Sequence, residues 1–335
     1  RFLLVPSTTL LLACAPALAS SDSSFAPIDF SLRFPAALAK FSSYADTAAF
    51  GGASAGSRYG SGINPASSDW TPAPGAPFSI SPQVSRIGFE RGTTLRIATV
   101  SGSYSSGTYG TLQSSLTRIS NDGSASGDFL LTDGHYAQLQ WGKKLGSEIA
   151  IGANINHSHF KNSAGFGGQL ALDGASVSNS VRGGVLWAAS RKLLAGLVLD
   201  YSSGRSASDI LNPECFCFGR FDDSSRAATA RMGLSYEYAP QSSLYADYLV
   251  GRYRNDAASM VSRTAMAGAE HLVLPWLYIR AGVAYELRGA WGKSVGIGIM
   301  PSKTMSIDFA LQRDMFPELH PEFGSATVAN LSMSV

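Results

Sequence analysis

The chain has 335 residues, a formal net charge of +2 and only 15% charged residues, against roughly 25% in an average soluble domain. The low net charge and the lack of a clustered basic stretch argue against nucleic-acid binding, and the three cysteines stand in no spacing typical of a metal site. Beyond the N-terminus, no window approaches the roughly 18 consecutive apolar residues of a transmembrane helix. Low charge combined with 35 glycines instead favours a β-barrel wall, in which lipid-facing residues alternate with small polar ones.

Residues 1–19 have the pattern of an export signal. Arg1 precedes two apolar runs, and Ala17-Leu18-Ala19 before Ser20 ends them with a small-x-small sequence, so we predict a signal peptide cleaved after Ala19. An alternative is that Leu11-Leu12-Ala13-Cys14 acts as a lipoprotein box, in which case Cys14 carries lipid. Both alternatives predict that the mature chain leaves the cytoplasm.

Residues 20–82 are a different kind of sequence, without sustained alternation of apolar and polar residues. Pro35–Phe41 has the composition of a short helix with proline in its first turn. A flexible linker is one interpretation, but ten large apolar side chains are too many for a solvated tail. We therefore predict that this segment packs inside the rest of the chain, and in an exported barrel the available space is the lumen. The ten residues are Phe25, Ile28, Phe30, Leu32, Phe34, Phe41, Tyr44, Phe50, Tyr59 and Trp70.

Two short pieces of this segment resemble the hatch region of the long-chain fatty acid outer-membrane transporter family. Phe50–Ala55 is rich in small residues and is followed, after a gap, by Ile63–Ala66; the family has a Gly-Gly-Ala stretch followed by Asn-Pro-Ala. The resemblance implies a fourteen-strand barrel plugged by an N-terminal hatch. A local alternative is that Asn-Pro simply marks a turn. The matching hatch residues are Gly51, Gly52, Asn64, Pro65 and Ala66.

From residue 83 to residue 335 the chain alternates apolar and polar residues, as strands with one lipid-facing side do. In the stretch 277–287, for example, leucine, isoleucine and valine share one face while Arg280 and Glu286 share the other. We predict a transmembrane antiparallel β-barrel of about fourteen strands. The stretches lie near 83–90, 94–104, 108–120, 134–143, 147–158, 177–189, 193–203, 225–238, 242–252, 262–273, 277–287, 290–300, 303–314 and 324–335.

The connections between these stretches are of two kinds that alternate along the chain. Bacterial outer-membrane barrels have short periplasmic turns and longer extracellular loops, whereas a soluble sandwich has no reason to sort its loops by length. If Val335 ends at the periplasm, every tight turn falls on the periplasmic side. The tight turns are near 105–107, 145–146, 190–192, Pro240, Pro275 and Pro301. The longer predicted loops are 121–133, 159–176, 204–224, 253–261 and 315–323, and this second set has shorter members near 91–93 and at Arg288-Gly289.

Charged residues at the inward positions of the strands are the candidates for a luminal site. Mixed charges inside a barrel can pair with each other and anchor the plug, because buried charges need partners. The alternative is that an inward arginine binds a ligand carboxylate through a bidentate fork, and the candidates for this role are Arg96, Arg182, Arg231 and Arg280. The predicted inward charges are Arg96, Arg182, Asp200, Arg231, Glu237, Asp247, Arg280, Glu286 and Asp308.

No catalytic or metal site is predicted. His157 and His159 share one strand face, but a third ligand is not visible. Cys215 and Cys217 fall in a predicted extracellular loop, as free thiols or a strained local bridge. No G-x-S-x-G nucleophile sequence and no nucleotide-binding sequence are present, so neither an enzyme nor a cofactor is expected.

The resemblance implies passive uptake of a hydrophobic small molecule, such as a fatty acid or hydrocarbon, across the bacterial outer membrane, with outer-membrane lipid as the surroundings of the barrel. One alternative is a component or shuttle of a secretion system, whose loops bind an exported protein partner. A second is a general diffusion porin, which the apolar segment 20–82 disfavours.

Overall fold

The computed structural model describes residues 47–48, 53–57, 62–70, 77–90, 94–121, 129–166, 169–212, 217–256, 258–287, 290–302, 305–315 and 325–335. The predicted signal peptide with Cys14, the helix at 35–41, Gly51, Gly52 and Cys215 lie outside these residues. No helix within the described ranges is long and apolar enough to cross a membrane.

Fourteen antiparallel strands close into a barrel in the part of the chain that the structure describes, which confirms the predicted fold class. Each strand pairs with its neighbours in sequence, and β1 pairs with β14 from Gln83↔Ser332 to Phe89↔Ala326 to complete the ring. Closure matters because lipid offers no hydrogen bonds to a free strand edge. The strands are β1 (Phe78–Phe89), β2 (Thr94–Ser106), β3 (Gly110–Asn121), β4 (Phe129–Leu145), β5 (Ile149–Phe166), β6 (Gln169–Ala188), β7 (Leu193–Asn212), β8 (Cys217–Ala239), β9 (Ser242–Asn255), β10 (Ser259–Leu274), β11 (Leu277–Glu286), β12 (Ala290–Ser302), β13 (Met305–Arg313) and β14 (Ala326–Ser334).

Five tight turns and Val335 lie at one end of the barrel, called the lower end here. Val335 exchanges two backbone hydrogen bonds of 3.0 Å with Ile80, near the start of β1. The turns at 107–109, 146–148, 189–192, 240–241 and 275–276 join consecutive strands at this same end. Gly146 has a φ of 74°, a left-handed conformation that glycine adopts without steric cost. The opposite end is called the upper end.

Three of the predicted long loops are wrong, because most of those residues extend the strands at the upper end. In the predicted loop 253–261, β9 continues to Asn255 and β10 begins at Ser259. In the predicted loop 159–176, β5 continues to Phe166 and β6 begins at Gln169; in 204–224, β7 continues to Asn212 and β8 begins at Cys217. Polar composition suggested loops, but a hairpin that has left the lipid layer can keep its backbone paired while both faces carry polar side chains.

The lower and middle parts of the outer face are apolar, as predicted for a surface in contact with lipid. On β7 and β8 the exposed outward side chains include Leu197, Leu199, Met232 and Leu234. Three tryptophans lie on the outer face near the lower end, at the position of an aromatic girdle. They are Trp141, Trp187 and Trp276.

Near the upper end the two faces exchange polarity. On β2, Leu95 and Ile97 are buried inside the barrel, while Arg96 between them is exposed on the outside. The inward placement predicted for Arg96 is therefore wrong. Alternation assigns residues to two faces but does not say which face meets lipid, and above the lipid layer the outer face meets polar surroundings.

Candidate functional site

Three described segments of the N-terminal region lie buried inside the barrel: residues 47–48, 53–57 and 62–70, called the plug here. Ala48, Ala53 and Ala55 are fully buried. The plug crosses the lumen, because the carbonyl of Ala48 accepts a hydrogen bond of 3.0 Å from Gln312 of β13, while residues 65–69 pack on β3 to β6.

Asn64, one of the predicted hatch residues, ties the plug to the wall. Its side-chain nitrogen donates to the carbonyls of Ala55 (2.8 Å) and of Val185 on β6 (3.0 Å). Its side-chain oxygen accepts from the N–H of Ala66 (3.1 Å), which caps the 3-10 helix Pro65–Asp69. Pro65 stands at the first helical position, where no N–H is needed. The same residues thus act both as a local cap and as a wall anchor.

A row of inward-facing glycines makes room for the plug. On five successive strands a side chain at the glycine would overlap the plug: at Gly184 it would meet Asn64, and at Gly196 it would meet the backbone of Ala55. Several members are directly opposite one another across the ladder, including Gly142 with Gly152. The complete row is Gly142, Gly152, Gly184, Gly196 and Gly233.

Two buried ion pairs fasten the plug on β6 to β9. Arg182 pairs with Asp200 at 2.6 Å and donates to the carbonyl of Gly62 at 3.2 Å. Arg231 pairs with Asp247 at 2.7 Å. The same Asp247 oxygen accepts the backbone N–H groups of Ser54 (2.9 Å) and Ala55 (2.8 Å). The inward placement predicted for Arg182 and Arg231 is confirmed, and both guanidinium groups are committed to carboxylates.

A third charged group lies on β10 to β13, away from these two pairs. Arg280 donates to Glu270 at 2.6 Å and also binds Asp308. Its guanidinium lies over the Tyr278 ring, 5.4 Å from the centroid. All three inward arginines therefore pair with wall carboxylates, as the pairing interpretation predicts, and their binding of a ligand stays a prediction.

Above the plug, part of the lumen wall is apolar, a feature that alternation alone does not predict, whereas β5 to β8 line the other part with buried polar side chains such as Ser178, Ser202 and Asp223. Buried apolar side chains from β1 to β5, from β9 to β11 and from β14 form one cluster that also includes Ala53 of the plug and Met315. None of its members carries a formal charge. This upper apolar cluster consists of Ala53, Ile87, Phe89, Leu95, Ile97, Ile119, Tyr136, Phe160, Tyr245, Leu249, Met266, Ala284, Met315, Ala326 and Val328.

Beside the plug, toward the lower end, lies a polar cavity of about 100 Å³. Tyr245 belongs to the upper apolar cluster and also lines this cavity, and its hydroxyl donates to Glu270 at 3.5 Å. Ser57 of the plug forms another part of the lining. The apolar cluster and the polar cavity are thus neighbours along the lumen, with plug residues at their junction.

The two histidines singled out from the sequence lie on the outer face of β5 and not in the lumen. The ring of His159 lies 5.6 Å from that of His135 on β4, and His157 hydrogen-bonds Asn179 at 2.9 Å. Among the described residues, no group of three or more His, Cys, Asp or Glu side chains is arranged to hold a metal ion.

The sequence matches no protein-family model and no curated protein, but the fold is similar to that of several solved structures. The CymD monoaromatic hydrocarbon channel superposes with a TM-score of 0.60 at 13% identity, covering 87% of this chain and 96% of that one. The Ralstonia pickettii toluene transporter TbuX gives 0.59 at 14% identity, covering 89% and 98%. A Pseudomonas aeruginosa FadL homologue gives 0.55 at 13% identity, covering 87% and 97%. The resemblance to the fatty acid transporter family is confirmed at the level of the fold.

Proposed function

We propose that this chain is an outer-membrane channel for passive uptake of hydrophobic small molecules. The observation that carries the proposal is the upper apolar cluster, which offers a binding environment for an oily ligand inside a barrel whose outer face is itself apolar. The transfer of an apolar ligand from water to such a site lowers the free energy of the system. The solved structures with a similar fold support the same class of cargo, since they include a monoaromatic hydrocarbon channel and a toluene transporter.

The lumen favours an uncharged hydrocarbon over a fatty acid. The upper apolar cluster carries no charged side chain, and Arg231, which contacts its member Met266 at 3.7 Å, is already paired with Asp247. A fatty acid carboxylate that bound Arg231 would have to compete with Asp247 for the guanidinium, which costs free energy because Asp247 would lose its buried partner.

In this mechanism the ligand enters from the upper end, partitions into the apolar cluster and leaves past the plug. A small displacement of residues 53–57 joins the cluster to the polar cavity, because Ala53 belongs to the former and Ser57 lines the latter. Diffusion down a gradient needs no bond-making step, and we infer that the chain is not an enzyme.

Ile97→Asn tests the proposal, because it puts a polar amide into the upper apolar cluster. We expect uptake of radiolabelled toluene by cells that express the variant to fall about tenfold, since one buried polar group without a partner costs roughly 1–3 kcal/mol. Ala98→Asn is the control: it introduces the same polar residue at the adjacent position, which is exposed on the outer face.

Equal toluene uptake by the two variants and the unaltered chain would contradict the proposal. Uptake of labelled oleate and of a labelled sugar, measured in the same cells, distinguishes the remaining alternatives. Uptake of the sugar at the rate of toluene would indicate a general diffusion porin. The heat-modifiable migration of a folded barrel in gel electrophoresis shows whether each variant has assembled.

A further inference from the structure

Four arginines lie close together on the outer face of β8, β9 and β10, near the upper end. Arg226, Arg252, Arg254 and Arg263 are all exposed, and together they are called the outer arginine patch. Arg226 and Arg254 are directly opposite each other in the β8–β9 ladder. Arg252 is two residues lower on the same strand, and Arg263 lies opposite Val250, two residues lower again. With a rise of about 3.4 Å per residue, the patch is roughly 14 Å tall.

Among the residues that the structure describes, the patch has an excess of positive charge. Like charges directly opposite each other in a ladder destabilise it, and a guanidinium cannot lose its proton to relieve the repulsion. Within the described ranges, neither Arg226 nor Arg254 forms a salt bridge.

The nearby outer carboxylates are engaged elsewhere. Asp256 attracts Arg226 electrostatically, but its carboxylate accepts hydrogen bonds from the backbone (2.8 Å) and hydroxyl (2.6 Å) of Ser224. Asp222 pairs with Arg220 at 3.4 Å. Four cations therefore face outward, and the nearby acid in the described part of the chain, Asp256, is already hydrogen-bonded.

Directly below the patch the outer face becomes aromatic and apolar. Met232, Tyr248 and Tyr285 lie on one row across the strands, two residues below Arg263. Tyr285 packs against Trp291 with ring centroids 4.5 Å apart. Aromatic side chains in such a band mark the level where hydrocarbon meets headgroups, so the arginines lie at the level of the headgroups themselves.

We propose that the outer arginine patch binds the phosphate groups of membrane-lipid headgroups, with Arg226 and Arg254 donating to one phosphate between them. Guanidinium groups match phosphate oxygens in bidentate geometry, and an anion held between two opposed arginines converts their repulsion into attraction. Because the outer arginine patch lies immediately above the lipid-facing band, we expect it to bind a phosphate that is attached to a lipid in preference to one free in solution. Opposed cations recur on the outer face at Arg86↔Arg96 and Lys293↔Arg313.

The test compares two double variants of the full chain, purified in a neutral detergent, that remove the same charge. Arg226→Gln with Arg254→Gln removes the opposed pair. Arg118→Gln with Arg220→Gln is the control, because those arginines are exposed but already paired with Asp133 and Asp222. Native mass spectrometry measures binding of diphosphoryl lipid A and of the same lipid without its phosphates.

We expect the opposed-pair variant to bind diphosphoryl lipid A about tenfold or more weakly, since each basic residue near an anionic headgroup adds roughly a factor of five to binding. The control variant should lose less than about threefold. In lipid-free detergent the opposed-pair variant should melt no lower than the unaltered chain, because its like-charge repulsion is gone; this result also shows that the variant folds.

Three results would overturn the proposal. They are equal lipid affinity for the opposed-pair variant and the unaltered chain, equal binding of the lipid without phosphates, and full displacement of the lipid by millimolar inorganic phosphate. The last result would mean that free phosphate, and not a headgroup, is the ligand.

Discussion

Arg231 and Asp247 form an ion pair from which water is almost wholly excluded, since their side chains are 4% and 0% exposed. The carboxylate also accepts two plug amides, so the pair connects the plug to the wall. Removing one member of a buried pair leaves an uncompensated charge and commonly costs about 3–5 kcal/mol.

We therefore expect Arg231→Gln to loosen the plug while the barrel stays folded, because the barrel ladder does not pass through this contact. Limited proteolysis of the folded protein should cut the plug segment faster in the variant. Arg118→Gln is the control: it removes the same charge from an exposed pair, which is worth about 0–1 kcal/mol. Identical cleavage rates in the two variants would show that the Arg231 pair does not hold the plug.

Asp256 lies outside the membrane-spanning region, near the upper end, and its contribution to the stability of the fold depends on pH. The Ser224 hydroxyl and backbone N–H hold the pKa of its carboxyl below the ordinary 3.8. A carboxyl whose pKa is lower in the folded state stabilises the fold fully above its unfolded pKa and loses that contribution as pH falls through the folded pKa.

We expect Ser224→Ala to lower the melting temperature slightly at neutral pH and to have a smaller effect at pH below about 3. Melting curves of the two proteins across this range, followed by tryptophan fluorescence, measure the difference. A constant gap at all pH values would mean that the hydroxyl acts on something other than the charged carboxylate.

At the scale of elements, the plug and the wall fit together through the glycine row. Gly183 and Gly184 are adjacent on β6 and have opposite surroundings: a side chain at Gly184 would overlap Asn64 and Pro65, whereas one at Gly183 would meet nothing within 4 Å. Asn64 and Pro65 belong to the capped start of the 3-10 helix. If they moved away from an added side chain, Asn64 would lose its hydrogen bonds to the wall.

We expect Gly184→Ala to unseat this part of the plug and to raise ion conductance through single barrels in planar bilayers. Gly183→Ala should conduct as the unaltered protein does, since its added methyl group points outward. If both variants conduct alike, the glycine row has no part in closing the lumen.

At the scale of the whole molecule, alternation predicts the strands well because lipid on one side and a polar lumen on the other impose the same period over the membrane. The strand number and the inward placement of Arg182, Arg231 and Arg280 follow from it. Above the lipid layer that constraint is lost. Alternation therefore places Arg96 on the wrong face and does not predict the upper apolar cluster.

The local signal for this exchange was present on the first three strands. Arg86, Arg96 and Arg118 each alternate with large apolar residues at the same end of their strands, and a lipid-facing stripe cannot contain them. The glycine row and the outer arginine patch, in contrast, have no local signal in the sequence. They depend on which residues become opposite in the ladder and on contacts to plug residues that are distant in the sequence, and no local pattern contains that information.

The strands differ greatly in length, and the difference makes the hydrogen-bonded wall uneven. β8 has 23 residues and β13 has 9; with about 3.4 Å per residue and a tilt of 35–45°, the longer strand rises roughly 30–40 Å farther along the barrel axis. The β5–β8 side is therefore where the paired backbone extends farthest beyond the lipid-facing band, and where the structure offers the tallest ordered surface for contacts outside the membrane.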